Sequence, residues 1–496
     1  MRNDLRRDVP LKASRYNYPI QSFAEIDADT KEDALSLNVG VYAYNVSVKN
    51  GNLTNAFGIS APTIPDRDFP TPILNDAIVQ GFLYYGSNAS TGARDDRIIT
   101  LYDSGIVRAI KIGDQYDRPT NMDFSVNNVF SNTKVCFANY FWNGQDWLFA
   151  YSDIGKSYRY NGSLLVPINN LPNLYEVCVH GERVFGATKG NNRLHFSAVG
   201  DPTNWTVSPT AGGYINFPDE GGKIIRLVSF QGHLYIFREF AIHRLTAYGD
   251  QTDFILTKVY STHNYIFAKT VAAAGGRIMF LAEDGFYSFD GHNCAKVYKR
   301  ILPLITDKKF ASAAFFDNKY YVAAAMKKDN VTIFDEENDY KNNAVFCFDF
   351  DCDSVSILRG ADVSDFVPIN VDNVNELFCT LNNPSRAATF GMISKDGRYF
   401  DEVLPKKWVS PYTNLQNINK DKVLRRIHIN TDNDLVVAAR LDKPYKYFAR
   451  GSKKTQSVTV NKRADKIGIE LSPAAGDICV TGLMLEFDMI RRFSNE

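Results

Sequence analysis

Apolar positions along the chain come in short segments that alternate with polar ones and stop at Gly, Asn, Asp or Pro, and helical periodicity is scarce. That pattern predicts many short antiparallel strands. The segments recur as a unit of strand, tight turn, strand rich in Tyr, Phe and Val, second turn, strand. VCVHGERVFGA at 177–187, LVSFQGHLYIF at 227–237, VAAAGGRIMFL at 271–281 and AAFFDNKYYVA at 313–323 are four copies. The first turns fall near Gly144, Gly181, Gly232, Gly276, Asp317 and Asp372, at intervals of 37, 51, 44, 41 and 55 residues. These intervals bracket the roughly 40–50-residue period of four-stranded propeller blades. The two longest require loop insertions, and the polar, acidic stretch KKDNVTIFDEENDYKNN at 327–343 reads as one.

A single small twisted sheet cannot bury both of its faces. Radial stacking covers each face with a neighbour and leaves only short edges exposed. With an earlier unit around RIITLYDSGIVRAI at 97–110, the series predicts an all-β chain with a six- or seven-bladed β-propeller over 66–403. Two flanks fall outside the repeat. Residues 1–65 hold strand-like LSLNVGVYAY at 35–44 and a KNGNL turn at 49–53, and Pro62, Pro65, Pro70 and Pro72 then mark a stiff connection. From Trp408 the alternating segments lengthen, as at 424–430, 434–441 and 478–487. This predicts a β-sandwich over 404–496 whose sheet the N-terminal strands complete.

Composition narrows the class. In 496 residues there are 56 Lys/Arg and 56 Asp/Glu, so global charge gives no argument for nucleic-acid binding. The distribution is uneven: residues 405–496 carry 17 Lys/Arg against 10 Asp/Glu, and residues 1–404 the compensating deficit. The basic end includes Lys420, Lys422, Arg425, Arg426, Lys443, Lys446, Arg450, Lys453 and Lys454. It reads either as a solvated β surface or as a charged face meeting a partner. No apolar run approaches the roughly 18–20 residues of a membrane span. The charged start MRNDLRRDVP lacks the apolar region of a signal peptide, so assembly in the cytoplasm is expected. Seven dispersed cysteines without a C-x-x-C pair fit reduced thiols.

Candidate chemistry is thin. YSDIGKSY at 151–158 approaches the Asp-box turn of sialidase-like propellers, with Tyr151 where that motif has Ser or Thr. Glycoside hydrolysis needs two carboxylates at a set separation or a tyrosine nucleophile with arginine clamps. Asp153, Glu283, Asp284 and Asp290 are available, but turn geometry accounts for the aspartates. His180, His195, His233, His243, His263, His292 and His428 form no H-x-H or H-x-x-x-H pair and read as loop or strand-surface residues. No nucleophile elbow, Walker loop or dinucleotide fingerprint occurs, and Gly221-Gly222 and Gly275-Gly276 read as hairpin turns. Trp142, Trp147, Trp205 and Trp408 could stack on sugars, but more commonly such residues anchor cores. No catalytic, cofactor-binding or metal-ligating residue is therefore expected, and the chain reads as a non-enzyme.

One stretch is more specific: NRLHFSAVGDPTNW at 192–205 joins an alternating strand to a Gly-Asp-Pro turn ending on tryptophan. With the lead-in at 38–60, KWVSP at 407–411 and KVLRRIH at 422–428, the chain resembles the tail nozzle (tail hub, packaged-DNA stabilisation) proteins of short-tailed bacteriophages. The resemblance implies a structural virion protein, assembled in the host cytoplasm and located in the tail. Six copies would form a ring below the portal and adaptor. That ring would carry tail fibres or other tail proteins, retain packaged double-stranded DNA and conduct it during ejection without sequence specificity. A glycan-binding or glycan-cleaving propeller is the alternative, and a ring or baseplate scaffold of a larger tail is a third reading.

Overall fold

The computed structural model describes residues 14–62, 76–88, 91–112, 120–121, 130, 134–189, 191–217, 219–334, 336, 340–371, 374–382, 389–417 and 420–491. They form two compact units, one of residues 59–353 with 359–394, the other of the residues up to 58, 354–358 and those from 395 onward. The prolines at 65, 70 and 72 and the turn at Asp372 lie outside the described residues. Among the described residues no helix is long and apolar enough to cross a membrane.

The first unit, together with residues 354–358 and Gly58, makes up a seven-bladed β-propeller. Blade 1 is Ile78–Tyr84, Arg97–Tyr102, Val107–Lys111 and Thr120–Asn121. Blade 2 is Val135–Trp142, Gln145–Ser152, Ser157–Tyr160 and Leu165–Ile168, and blade 3 is Leu174–His180, Arg183–Thr188, Arg193–Phe196 and Gly213–Asn216. Blade 4 is Ile224–Phe230, His233–Arg238, Ala241–Thr246 and Ile255–Ser261, and blade 5 is Ala272–Ala274, Arg277–Ala282, Gly285–Phe289 and Cys294–Val297. Blade 6 is Ile305–Phe316, Lys319–Met326, Ala344–Asp349 and Ser354–Arg359. Blade 7 takes Val363–Val371, Val374–Leu381 and Thr389–Ser394 from late in the sequence and Gly58–Ser60, some 300 residues earlier, as its fourth strand. This strand shared between distant segments closes the ring by backbone hydrogen bonds.

In blades 2 to 6 the repeat read from the sequence is the first hairpin of the blade. Its turns pair two residues of positive φ: Asn143-Gly144, Gly181-Glu182, Gln231-Gly232, Gly275-Gly276 and Asp317-Asn318. That geometry matches the right-handed twist of the strands, which is why Gly, Asn and Asp mark it. The long intervals also have their causes. The 181–232 interval holds an excursion between Arg193–Phe196 and Gly213–Asn216, and the 317–372 interval holds the 327–343 insertion. Within that excursion Trp205 is buried, packs edge-on to Tyr151 at 6.1 Å and donates through Nε1 to the Pro202 carbonyl at 2.9 Å. Gly221-Gly222 departs from expectation. The pair lies in the connection from blade 3 to blade 4, where the Gly222 carbonyl accepts two Arg238 hydrogen bonds at 2.7 and 2.9 Å.

Between blades the cores are apolar. Phe185, Leu194 and Phe196 of blade 3 meet Leu227, Leu234 and Ile236 of blade 4, and Tyr235 and Phe237 of blade 4 meet Ile278, Phe280 and Phe289 of blade 5. Ile78, Ile98 and Ile110 of blade 1 meet Ile369, Phe378 and Phe390 of blade 7. At the ring closure Gly391 has no room for a side chain, because an added Cβ would overlap Ile59 Cγ2. Gly391→Val is expected to destabilise the propeller by about 1–3 kcal/mol. A thermal melt unchanged from wild type would show that Gly58–Ser60 does not seal blade 7.

The second unit is a β-sandwich. One sheet runs Val46–Lys49, Asn52–Asn55, Cys479–Arg491, Lys420–Thr431, Ser452–Ala464, with Ser14–Ile20 also on Cys479–Arg491. The other runs Tyr42–Tyr44, Lys407–Val409, Gly468–Pro473, Leu435–Arg440, Pro444–Ala449. Strands from both ends of the sequence thus share each sheet. Leu424, Ile427, Ile429 and Leu485 of the first sheet and Leu435, Val437, Ile469 and Leu471 of the second are fully buried. The hairpin read at 49–53 turns on Asn50 and Gly51, both at positive φ. Lys422, counted with the basic surface, is instead buried. Its ammonium donates to the Asn417 and Asp465 carbonyls at 3.0 and 2.6 Å.

Candidate functional site

The inner strands begin on one face of the propeller, and the turns between second and third strands reach the same face. Across blades 2–5 these segments enclose a cavity of about 990 Å³. Lys134, Tyr175, Lys223 and Ile224 lie at or next to inner-strand starts, Asp153, Lys189, Asn191, Asn192 and Glu239 lie in or beside the turns, and Tyr265 and Ala268 complete the lining.

Several polar groups here have partners in the protein. Asp153 accepts the Lys134 backbone N–H at 3.2 Å and pairs with the Lys189 ammonium at 2.9 Å. Lys134 Nζ sits 4.7 Å over the Tyr175 ring, and Tyr175 Oη donates to the Ile224 carbonyl. Glu239 Oε2 accepts the Lys223 N–H at 3.0 Å. Burial raises the Tyr175 and Tyr265 phenols above their ordinary range, and the neighbouring carboxylates add to it. The phenols therefore stay protonated and can donate. The mouth offers ammonium, phenol and carboxylate groups for hydrogen bonding and an aromatic wall for stacking. Across the axis Lys269 at the entrance to blade 5 donates to the Val79 carbonyl of blade 1 at 2.6 Å, so its side chain spans the propeller's centre.

A second constellation lies in blade 4. The buried Arg238 pairs with Asp219, whose other oxygen meets Lys258 Nζ at 2.5 Å and His243 Nε2 at 3.6 Å. Burial opposes ionisation of Asp219, but hydrogen bonds from Lys258 and Arg238 outweigh it and hold the carboxyl at about 2. Burial takes His243 down to about 4 against the attraction of Asp219. At neutral pH the cluster is an ionised carboxylate between two cations with a neutral imidazole, an electrostatic clamp beside a cavity of about 380 Å³.

The residues weighed in the sequence are scattered. Asp290 caps its own turn, accepting the His292 and Asn293 N–H groups at 2.9 and 2.7 Å. Asp284 holds Tyr287 Oη at 2.9 Å and Lys296 at 3.0 Å. Of the carboxylates weighed, Asp153 alone lines the larger cavity. His180 and His243 are buried rather than on a surface; His180 Nδ1 lies 2.9 Å from Ser229 Oγ of blade 4. Trp147, Trp205 and Trp408 are buried, and Arg159 lies between the Trp142 and Trp147 rings at 4.6 and 4.9 Å. Cys136, Cys347 and Cys379 are buried thiols, while Cys352 is exposed. The Asp219–Arg238–His243–Lys258 cluster left no sequence signal, because its members come from three separate strands and an inter-blade loop.

The fold and its cavities define a seven-bladed β-propeller protein with a β-sandwich. Among solved structures, the chain is similar to virginiamycin B lyase from Staphylococcus aureus at 10% identity, covering 64% of this chain and 98% of that one with a TM-score of 0.40. It is also similar to the Pan2 WD40 domain of Neurospora crassa at 9% identity, covering 70% and 97% with a TM-score of 0.40. No protein-family model matches the chain, and no curated protein sequence does. The propeller architecture rests on the strand order of this chain.

Proposed function

We propose that this protein is a structural subunit of a bacteriophage tail nozzle, one of six copies forming a ring that retains packaged DNA and conducts it during ejection. The observation that carries the reading is the layout of the chain: a propeller inserted into a sandwich whose sheets combine strands from both ends of the sequence. The segments that carry the tail-nozzle resemblance lie in this layout: 407–411, 422–428 and most of 38–60 in the sandwich, and the Gly-Asp-Pro-to-tryptophan stretch in blade 3. In this reading the protein is not an enzyme. Its carboxylates are occupied by lysines, backbone N–H groups and turn geometry.

The bridge from Lys269 to Val79 favours a conduit outside the propeller axis in this reading. A duplex cannot pass along an axis spanned by a side chain, so the conduit lies between subunits. Heterologous contacts repeated around a closed rotation produce such a tube. The test is electron microscopy of the purified protein, alone and with a portal–adaptor complex. A closed six-fold ring with a lumen wide enough for duplex DNA is expected. A protein that stays monomeric and ignores the portal–adaptor complex overturns the proposal.

The cavity of about 990 Å³ favours a second reading, a glycan-binding or glycan-cleaving propeller. Turnover of a fluorogenic glycoside that disappears in Asp153→Ala or Glu283→Ala would establish it over the first. No turnover is expected.

A further inference from the structure

Between Lys443 and Arg463 the sequence KPYKYFARGSKKTQSVTVNKR holds seven Lys/Arg and no Asp or Glu. The fold makes this run two consecutive edge strands, Pro444–Ala449 at the border of one sandwich sheet and Ser452–Ala464 at the border of the other. The strand pairing assigns its faces. Ala449 lies opposite the core residue Leu435, so the alternation turns Lys446 and Phe448 to the outer face, opposite Ala438 and Val436. Lys443, Lys446 and Arg450 are exposed, and Phe448 is 55% exposed beside them. Two other cations are engaged within the sandwich. Lys462 Nζ lies 5.1 Å over the Tyr445 ring, and Arg463 pairs with Asp421 at 2.5 Å.

Lysines on edge strands ordinarily guard against edge-to-edge pairing, and one or two suffice for that. Lys443, Lys446 and Arg450, exposed within a run that contains no acidic residue, exceed that need and make a positive edge. We propose that this basic edge is the contact of the protein with the phosphate backbone of duplex DNA. A lysine-rich surface is unlike a protein–protein interface, where lysine is depleted. Cations on an extended strand neutralise phosphates without reading bases, and an exposed aromatic among them supplies apolar contact. The choice of duplex DNA among polyanions rests on the proposed function; the existence of a polyanion-binding edge does not.

The experiment measures fluorescence anisotropy of two labelled duplexes of unrelated sequence with the full-length protein over a salt series. The wild type should bind both alike, with log affinity falling linearly against log salt. The variant K443E/K446E/R450E should bind at least tenfold more weakly at about 50 mM salt, with a slope shallower by about 3, close to 0.9 per lost phosphate contact. The neutral variant K443Q/K446Q/R450Q should fall between them, and thermal melts of both should match wild type. Wild-type affinity in both variants overturns the proposal, as does capture by phosphatidylserine vesicles without binding to either duplex. Imaging the same variants on the portal–adaptor complex separates the two claims. Rings formed by a triple variant that keeps full DNA affinity overturn this inference alone, whereas a wild type that binds DNA through this edge but forms no ring overturns only the nozzle reading.

Discussion

Arg359→Ala is expected to cost the propeller about 3–5 kcal/mol, the range for stranding buried charge by removing its partner. The guanidinium is 0% exposed. It donates to Asp329 Oδ1 at 2.6 Å, to Glu336 Oε1 and Oε2 at 3.0 and 2.9 Å, and to the Val331 carbonyl at 2.9 Å. Both carboxylates come from the 327–343 insertion, so one arginine at the end of blade 6 holds down the loop. Without it the carboxylate of Glu336, a residue 1% exposed, keeps the Asn343 side-chain amide and loses the cation it pairs with. Urea unfolding followed by tryptophan fluorescence gives the loss directly. A decrease below about 1 kcal/mol would mean the insertion reorganises to solvate its acids. Arg359→Met combined with Asp329→Asn and Glu336→Gln should recover much of the loss, because the cost lies in unpaired charge rather than in missing volume.

Asp362→Asn is expected to stabilise the protein above pH 6 and to leave it unchanged below about pH 4. Asp362 is 3% exposed just ahead of the inner strand of blade 7, and its Oδ1 accepts the Asn342 N–H at 2.8 Å. Burial raises its carboxyl to about 6, against the lowering effect of the Asn342 and Lys341 N–H groups. The unfolded chain ionises near the ordinary 3.8. Between the two values the folded protein holds a proton that the unfolded chain has released. Stability therefore declines as pH rises from about 4 to about 6, and above that folding carries the burial of a carboxylate. The two-unit difference corresponds to about 3 kcal/mol at most. Asparagine keeps the acceptor for Asn342 and has no charge to bury. Thermal melts of both proteins from pH 4 to 8 should diverge as pH rises, and parallel curves would show that this carboxyl does not titrate in that window.

The hairpin turns were legible because their chemistry is local. A two-residue turn with positive φ at both positions selects Gly, Asn and Asp whatever surrounds it, so Asn143-Gly144 and Asp317-Asn318 announce themselves. Blade 1 carries no such signal at its first connection, because its first two strands end with Tyr84 opposite Arg97 and no two-residue turn joins them. The histidines show the limit. Nothing adjacent to His180 or His243 in sequence separates a surface histidine from one enclosed between strands, since that burial is created by residues some 50 positions away, such as Ser229.

The sequence by itself determined the all-β class, the blade repeat, the insertion at 327–343 and the change of pattern near Trp408, all consequences of alternation and turn geometry. Its basic stretch from Lys443 was visible as composition. Only the tertiary structure decided that there are seven blades, with Gly58–Ser60 completing the last. It also divided the basic residues, burying Lys422 under backbone carbonyls and leaving Lys446 and Arg450 on an open edge. Strand pairing across hundreds of residues and the burial of a charge depend on which distant surfaces meet, and local pattern carries no record of that.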